Sequence, residues 1–121
     1  MKKIVLSALF YLSFVSLVWS ASGNYKCPTV SAIQQVSLNG SSIYKSSDYY
    51  NISQTSQYGT QYSWKFDVKN ISVSTDEEAL EKATLAVNTL SGNPEPEYVN
   101  GLMNCVYENA YGYMTRAYTE A

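Results

Sequence analysis

The sequence predicts an α+β fold: an antiparallel sheet of three to five strands with two helices packed on one face, and one disulfide. Three observations lead to this prediction. Apolar and polar residues alternate over 58–68, which is typical of a half-buried antiparallel strand. Apolar residues recur at helical spacing over 74–90. The chain also has two cysteines, Cys27 and Cys105.

Residues 1–20 have the pattern of a secretory signal peptide. The segment begins with Lys2 and Lys3, continues as an apolar run over 4–19 and ends on a small residue. This run is shorter than a membrane-spanning helix requires, and its short basic start is typical of a bacterial signal. We therefore expect export to the periplasm or the medium, and a mature chain 21–121 that folds as a single small domain outside the membrane.

The composition excludes several classes of function. The signal carries two lysines and no acid, so its removal changes the formal charge from −2 to −4. An acidic chain lacks the basic stripe that sequence-independent nucleic-acid binding needs, and anionic membrane surfaces do not attract it. The chain has no histidine, which excludes Ser-His-Asp catalysis and histidine-based zinc sites. No phosphate loop or nucleophile elbow is present, so we expect no catalytic residues, no metal site and no enzyme.

The two cysteines favour a structural disulfide. In an exported protein an even pair such as Cys27 and Cys105 is typical of a disulfide. The alternative is a redox or nucleophilic thiol. That alternative has neither a Cys-x-x-Cys motif nor a histidine to activate a thiolate.

The first helix is predicted to begin with Pro28, since proline suits the first helical position. Val30, Ile33 and Val36 follow at helical spacing, and Gly40 is a stop signal.

Residues 39–57 are rich in serine, asparagine, glutamine and tyrosine. We expect an exposed, irregular segment here, with short strands at 43–44 and 49–52 as the alternative. Loops on a scaffold often carry binding, so the tyrosines of this segment are candidates for recognition.

The central strand and the second helix have the clearest patterns. The apolar face of the strand consists of Tyr62, Trp64, Phe66 and Val68. Residues 69–70 interrupt the alternation and predict a bulge or tight turn. In the helix over 74–90, Thr75 and Glu78 form a capping box. Its apolar stripe consists of Ala79, Leu80, Ala83, Ala86, Val87 and Leu90.

The C-terminal part predicts a loop and a hairpin. Two prolines within 93–97 disfavour both helix and strand. A strand follows from 102 onward, with Met103, Cys105 and Tyr107 on one face. A reversal at 108–110 or at the neighbouring Gly112, and a second strand over 111–118, complete the hairpin.

Tyrosine is the most unusual feature of the composition. The chain has 12 tyrosines, and only Tyr11 lies in the signal. Strands favour tyrosine as a core residue, and a tyrosine-lined ligand or partner surface is the other interpretation. Arg116 is the only arginine, and it can hold an anionic group, stack on a ring or lie solvated at an edge.

Several short motifs together resemble a known family. They are Cys27-Pro28-x-Val30-x-Ala32-Ile33-Gln34, Tyr58-Gly59-Thr60, Trp64-x-Phe66, an alanine-rich helix, Cys105-x-Tyr107 and Gly112-Tyr113. The pattern resembles a family of small exported Legionella proteins of largely unknown function, one of which is called a hemin-binding protein. This resemblance spans most of the mature chain. It implies a shared fold and disulfide, and it suggests heme as a ligand class.

Heme binding by this chain needs ligands other than histidine. Methionine ligation is open to Met103 and Met114, and a tyrosine phenolate can also ligate ferric heme. The arginine can meet a heme propionate. The alternative is that the tyrosines only pack the hairpin. The candidate ligand-binding residues of the terminal hairpin are Tyr107, Tyr111, Tyr113 and Arg116.

The sequence therefore predicts a small exported binding protein for heme or another planar apolar ligand. The alternative is a secreted protein–protein interaction factor, an effector or an inhibitor, with no small-molecule ligand. No cofactor is expected, with heme left open as a ligand, and the partner is either a protein or a small planar molecule.

Overall fold

Six strands form one antiparallel sheet in a computed structural model that describes residues 25–121. The helices and strands are α1 (Val30–Gln34), β1 (Ser42–Ser46), β2 (Tyr49–Ser56), β3 (Trp64–Ile71), α2 (Asp76–Asn88), β4 (Glu97–Val99), β5 (Leu102–Tyr107) and β6 (Met114–Glu120). The sheet order is β1-β2-β3-β6-β5-β4. The α+β class is confirmed, whereas the expected number of three to five strands is wrong. The predicted signal peptide, residues 1–20, lies outside the described residues.

Two tight turns account for the strands that the sequence analysis placed in loops. Residues 47–48 connect β1 and β2 as a two-residue loop, since Ser46 lies opposite Tyr49. Asn100 and Gly101 connect β4 and β5, with φ of 51° and 82° as a type I′ turn requires. The prediction of an irregular segment over 39–57 is therefore wrong, and its alternative of short strands is confirmed. Polar residues are tolerated in β1 and β2 because, within residues 25–121, the helices cover only one face of these strands.

The first helix is shorter than predicted. The Thr29 hydroxyl accepts a hydrogen bond from the backbone N–H of Ala32 (3.1 Å), so Thr29 is the N-cap and Pro28 lies outside the helix. The helix ends at Gln34 rather than near Gly40, and only Ile33 on it is buried.

The central strand begins later than predicted. Residues 58–63 form a loop in which Tyr58 has φ of 49° and Gly59 φ of 74°. Such values interrupt an extended backbone, so the strand starts at Trp64. The predicted bulge is confirmed: the register between β2 and β3 shifts near Tyr50, and Asn70 has φ of 67°.

The second helix has Thr75 as its N-cap, as predicted, and the Thr75 hydroxyl donates to the Glu78 carboxylate (3.2 Å). The backbone N–H of Glu78 donates to the Thr75 hydroxyl (3.2 Å). Ala79, Ala83 and Ala86 are fully buried, and these small side chains let α2 lie close to β2 and β3.

The core lies between the helices and one face of the sheet. Ile33 of α1, the alanines of α2 and Phe66 and Val68 of β3 belong to the same buried cluster. Tyr107 and Cys105 of β5 extend that cluster along the sheet. Both helices therefore pack on the same face.

The N-terminal segment is fastened to this core face. Cys27 and Cys105 form the predicted disulfide. The Tyr25 ring stacks on that of Tyr62 at a centroid distance of 4.5 Å, and the Tyr25 hydroxyl donates to the backbone carbonyl of Glu120 (3.3 Å). Among the helices of residues 25–121, none is long and apolar enough to span a bilayer.

Candidate functional site

The face of the sheet opposite the helices carries the remaining strand side chains, and we call it the outer face. Strand residues alternate between faces, so the neighbours of the core residues in β3 and β6 point the other way. The register brings the outer-face residues into rows across the sheet. Adjacent pairs in these rows are Lys65 with Tyr118, Asp67 with Arg116, Lys69 with Met114, Val106 with Arg116 and Val99 with Leu102.

Large apolar side chains lie exposed on one half of the outer face. Val106 is 64% exposed, Met114 48% and Val99 41%. A shallow depression of 310 Å³ lies among them, and we call it the outer depression. Its volume falls at the lower end of the range of small-molecule sites. It is lined by Val99, Asn100, Leu102, Asn104, Val106, Met114 and Arg116.

Among the described residues, Arg116 is the only charged side chain that lines the outer depression, and it makes three contacts there. Its Nε lies 3.6 Å from a carboxylate oxygen of Asp67, which is 4% exposed. Its Nη1 donates to the Asn104 side-chain oxygen (3.4 Å), and its guanidinium lies 4.5 Å from the Tyr118 ring centroid. Nε makes no hydrogen bond among the described residues, so its contact with Asp67 is a charge contact, and the guanidinium retains N–H donors for an anionic group.

Other charges surround this arginine on the outer face. Lys65 interacts with Tyr118, and this contact raises the pKa of the lysine. Lys69 lies opposite Met114. Two acids, Glu97 and Glu120, lie opposite Asn104 and Leu102, but neither lines the depression.

A row of buried polar side chains continues from Arg116 toward β2. Ser53 lies opposite Asp67, and both residues are nearly inaccessible. The second carboxylate oxygen of Asp67 and the Ser53 hydroxyl have no hydrogen-bond partner among the described residues. Buried polar atoms without partners are uncommon in folded proteins. These two buried polar atoms lie near the centre of the outer face, where the described residues leave their hydrogen-bonding capacity unused.

The structure does not gather the four sequence-predicted ligand residues into one site. Tyr107 lies in the core at 3% exposure, where its hydroxyl donates to the backbone carbonyl of Pro28. Arg116 lies on the opposite face of the sheet. Tyr111 and Tyr113 lie in the loop between β5 and β6, where their rings stack at 6.1 Å.

The tyrosine loop is ordered by one asparagine. The backbone N–H groups of Tyr111 and Tyr113 donate to the Asn109 side-chain oxygen at 3.0 and 3.2 Å. The Asn109 side-chain nitrogen donates to the Tyr113 carbonyl (2.7 Å). Met114 follows this loop directly and enters the outer face. The loop therefore lies beside the outer depression, although neither tyrosine lines it.

Burial raises the pKa of Tyr107, and it raises that of Tyr58 together with the nearby Asp67 carboxylate. A raised pKa disfavours the phenolate that would ligate ferric heme, so we leave Tyr107 out of the proposed site.

The same shifts predict alkaline destabilisation. Stability from these two phenols is fully present below the ordinary tyrosine pKa of about 10 and falls above it, by about 1.4 kcal/mol per pH unit for each tyrosine. For Tyr107→Phe we expect a loss of about 1–3 kcal/mol at pH 8, because the Pro28 carbonyl loses its donor. The difference in free energy of unfolding between Tyr107→Phe and the unsubstituted protein should become smaller toward pH 11. Urea unfolding at pH 8 and at pH 11 measures these free energies. A difference that does not change with pH would contradict the raised pKa of Tyr107. Tyr111→Phe, at 43% exposure, is the control.

Sequence reasoning missed Val99, Leu102 and Val106 as site residues. The Asn100-Gly101 dipeptide is a strong hairpin signal, and it places Val99 beside Leu102. No sequence signal predicts that these residues are exposed. Apolar residues occur on both faces of β5, so the alternation does not reveal which face the helices cover.

Two larger grooves lie on the helix side, along the N-terminal segment, with volumes of 540 and 590 Å³. Lys26, Cys27 and Thr29 line both. Their remaining walls are mainly loop residues, and none of the side chains in them combines strong exposure with a large apolar surface as Val106 does. Within residues 25–121, no group of three or more acidic or cysteine side chains is placed to hold a metal ion.

Comparison with known proteins gives no match among family models, curated proteins or solved structures. The class of protein is therefore defined by the structure alone: a disulfide-linked α+β domain with one open sheet face.

Proposed function

We propose that this protein is a small exported binding protein that holds a planar apolar ligand with an anionic substituent in the outer depression. Heme is the candidate ligand, in line with the family resemblance of the sequence. One observation carries the proposal: three exposed apolar side chains, Val99, Val106 and Met114, line the same depression as the Arg116 guanidinium. Exposed apolar surface next to one well-placed polar group is typical of ligand sites.

The residues of the outer depression offer three kinds of contact that a heme could use. Val99 and Val106 offer apolar surface to the porphyrin, with a gain of about 25 cal/mol per Å² removed from water. Met114 would present a thioether sulfur to the heme iron. Arg116 has five N–H donors, and its contacts with Asp67 and Asn104 leave some of them for a propionate.

A hemin titration of the oxidised mature protein tests this proposal. We expect a saturable shift of the Soret band with one hemin per chain. Met114→Leu keeps the side-chain volume and removes the sulfur, so the Soret position should change and affinity should fall about tenfold, which corresponds to about 1.4 kcal/mol. Arg116→Gln should weaken binding by a similar factor, because a charge-assisted hydrogen bond is lost.

Met103→Leu is the matched control, because Met103 lies in the same strand pair but packs toward the core face. It should leave the titration unchanged. A linear rise in absorbance, equal to that given by an unrelated acidic protein, would show that this protein does not bind heme specifically. Equal effects of Met103→Leu and Met114→Leu would remove the outer depression as its site.

A protein partner is the second candidate, and exposed Tyr44 and Val106 on the same face favour it. Interfaces combine an apolar centre with a polar rim and are enriched in tyrosine. In that case hemin does not bind, and Val106→Lys abolishes capture of the partner. Tyr98→Lys, on β4, is the control with a similarly exposed side chain.

A further inference from the structure

The two edges of the sheet are protected to different degrees. β4 is three residues long, and Pro94 and Pro96 precede it. Short edge strands and prolines are common devices that prevent an edge from pairing with another chain. β1, at the other edge, is five residues long and contains no proline. Among the described residues, β2 is its only strand neighbour.

β1 has an odd number of residues, so a single residue lies at its centre. Ser42 and Ser46 end the strand, and Tyr44 lies midway between Ile43 and Lys45. Two copies of such a strand can pair antiparallel about a two-fold axis at the central residue. A two-fold interface of this kind brings the same strand of both copies together, so that every pair of residues away from the axis occurs twice. In this register, Ile43 lies opposite Lys45 of the second copy and Ser42 lies opposite its Ser46.

We propose that β1 pairs with β1 of a second copy, so that two six-stranded sheets continue into one. Alternate residues of an edge strand direct N–H and C=O groups away from their own sheet, and the second copy supplies their partners. Tyr44 lies opposite its own counterpart on the axis. Its side chain is 50% exposed, and cross-strand aromatic pairs stabilise antiparallel strands.

Lys45 does not prevent this pairing. A lysine on an edge strand commonly disfavours pairing of that strand with another chain. Here its ammonium lies over the Tyr50 ring of its own chain, 5.7 Å from the centroid. In the proposed register it also lies opposite an isoleucine, so no like charges face each other directly. The paired surface is small, and we expect a dissociation constant on the order of micromolar.

Sedimentation of the mature protein from about 1 µM to about 500 µM spans this range and tests the dimer. We expect concentration-dependent dimerisation. Tyr44→Lys places two like charges at the axis and should leave only monomer. Tyr98→Lys changes a tyrosine on the opposite edge, at 66% exposure, and should dimerise normally. A monomeric unsubstituted protein, or dimerisation lost only in Tyr98→Lys, overturns the proposal.

A cross-linking experiment tests the register without a charge change. Residues opposite each other in antiparallel strands have Cα atoms about 4.5–5.5 Å apart, within disulfide range. Tyr44→Cys should therefore form a covalent dimer on oxidation. Ser46→Cys should not, because the two copies of residue 46 are about 13 Å apart in this register. Equal cross-linking of both variants overturns the symmetric register. Peptide mapping checks that Cys27 remains bonded to Cys105.

Discussion

Replacing Cys27 and Cys105 together by alanine is expected to lower the free energy of unfolding by about 4–5 kcal/mol. The two cysteines are 78 residues apart, so the disulfide closes a loop that includes most of the described chain. Closing a long loop restricts the unfolded chain more than it restricts the folded one. Domains of this size have a total stability of about 5–15 kcal/mol, so this loss is a large share of it.

Removing the disulfide also removes the covalent attachment of the N-terminal segment to β5 in the folded state. The N-terminal segment would then depend on the stacking of Tyr25 on Tyr62 and on two hydrogen bonds to backbone carbonyls, at Glu120 and Pro28. Such contacts contribute about 1 kcal/mol each. We expect this segment to exchange amide hydrogens faster than the sheet does in the variant.

Urea unfolding of the double variant measures this effect. The slope of free energy against urea should rise, because the unfolded chain exposes more surface without the cross-link. Reduction of the unsubstituted protein should give the same midpoint as the variant. A loss below about 1 kcal/mol would contradict the loop-closure account.

Trp64→Ala is expected to destabilise the fold by about 3–5 kcal/mol. Trp64 is fully buried at the start of β3, and its indole N–H donates to the Thr60 hydroxyl (2.9 Å). The substitution leaves a cavity between the sheet and the helices. It also removes a donor from the hydroxyl that organises the 58–63 loop, where the backbone N–H of Tyr62 also donates to Thr60.

Two further variants separate the cavity from the hydrogen bond. Trp64→Phe keeps much of the ring and removes the indole N–H, so we expect a loss of about 1–2 kcal/mol. Tyr98→Ala removes a large side chain that is 66% exposed and should change stability by less than about 0.5 kcal/mol. Similar losses for Trp64→Ala and Trp64→Phe would show that the cavity contributes little.

Part of the candidate site could be predicted from the sequence. Arg116 stood out as the only arginine and Met114 as a methionine in the terminal hairpin, and both line the outer depression. Tyr107 had the same local pattern as a surface tyrosine, yet it lies in the core. In β5 both sets of alternate residues contain apolar side chains, so the period of two does not say which set the helices cover.

The sequence by itself determined the features whose signals lie within a short stretch of chain, and those for which only one arrangement exists. The capping box and alanine stripe specify α2, the alternation specifies the apolar face of β3, and two cysteines allow a single pairing. Only the tertiary structure decided that polar residues 39–57 form two strands, and that Val106 and Arg116 share an open face. These outcomes depend on hydrogen bonds and packing between residues distant in the chain, and local propensity does not encode such contacts.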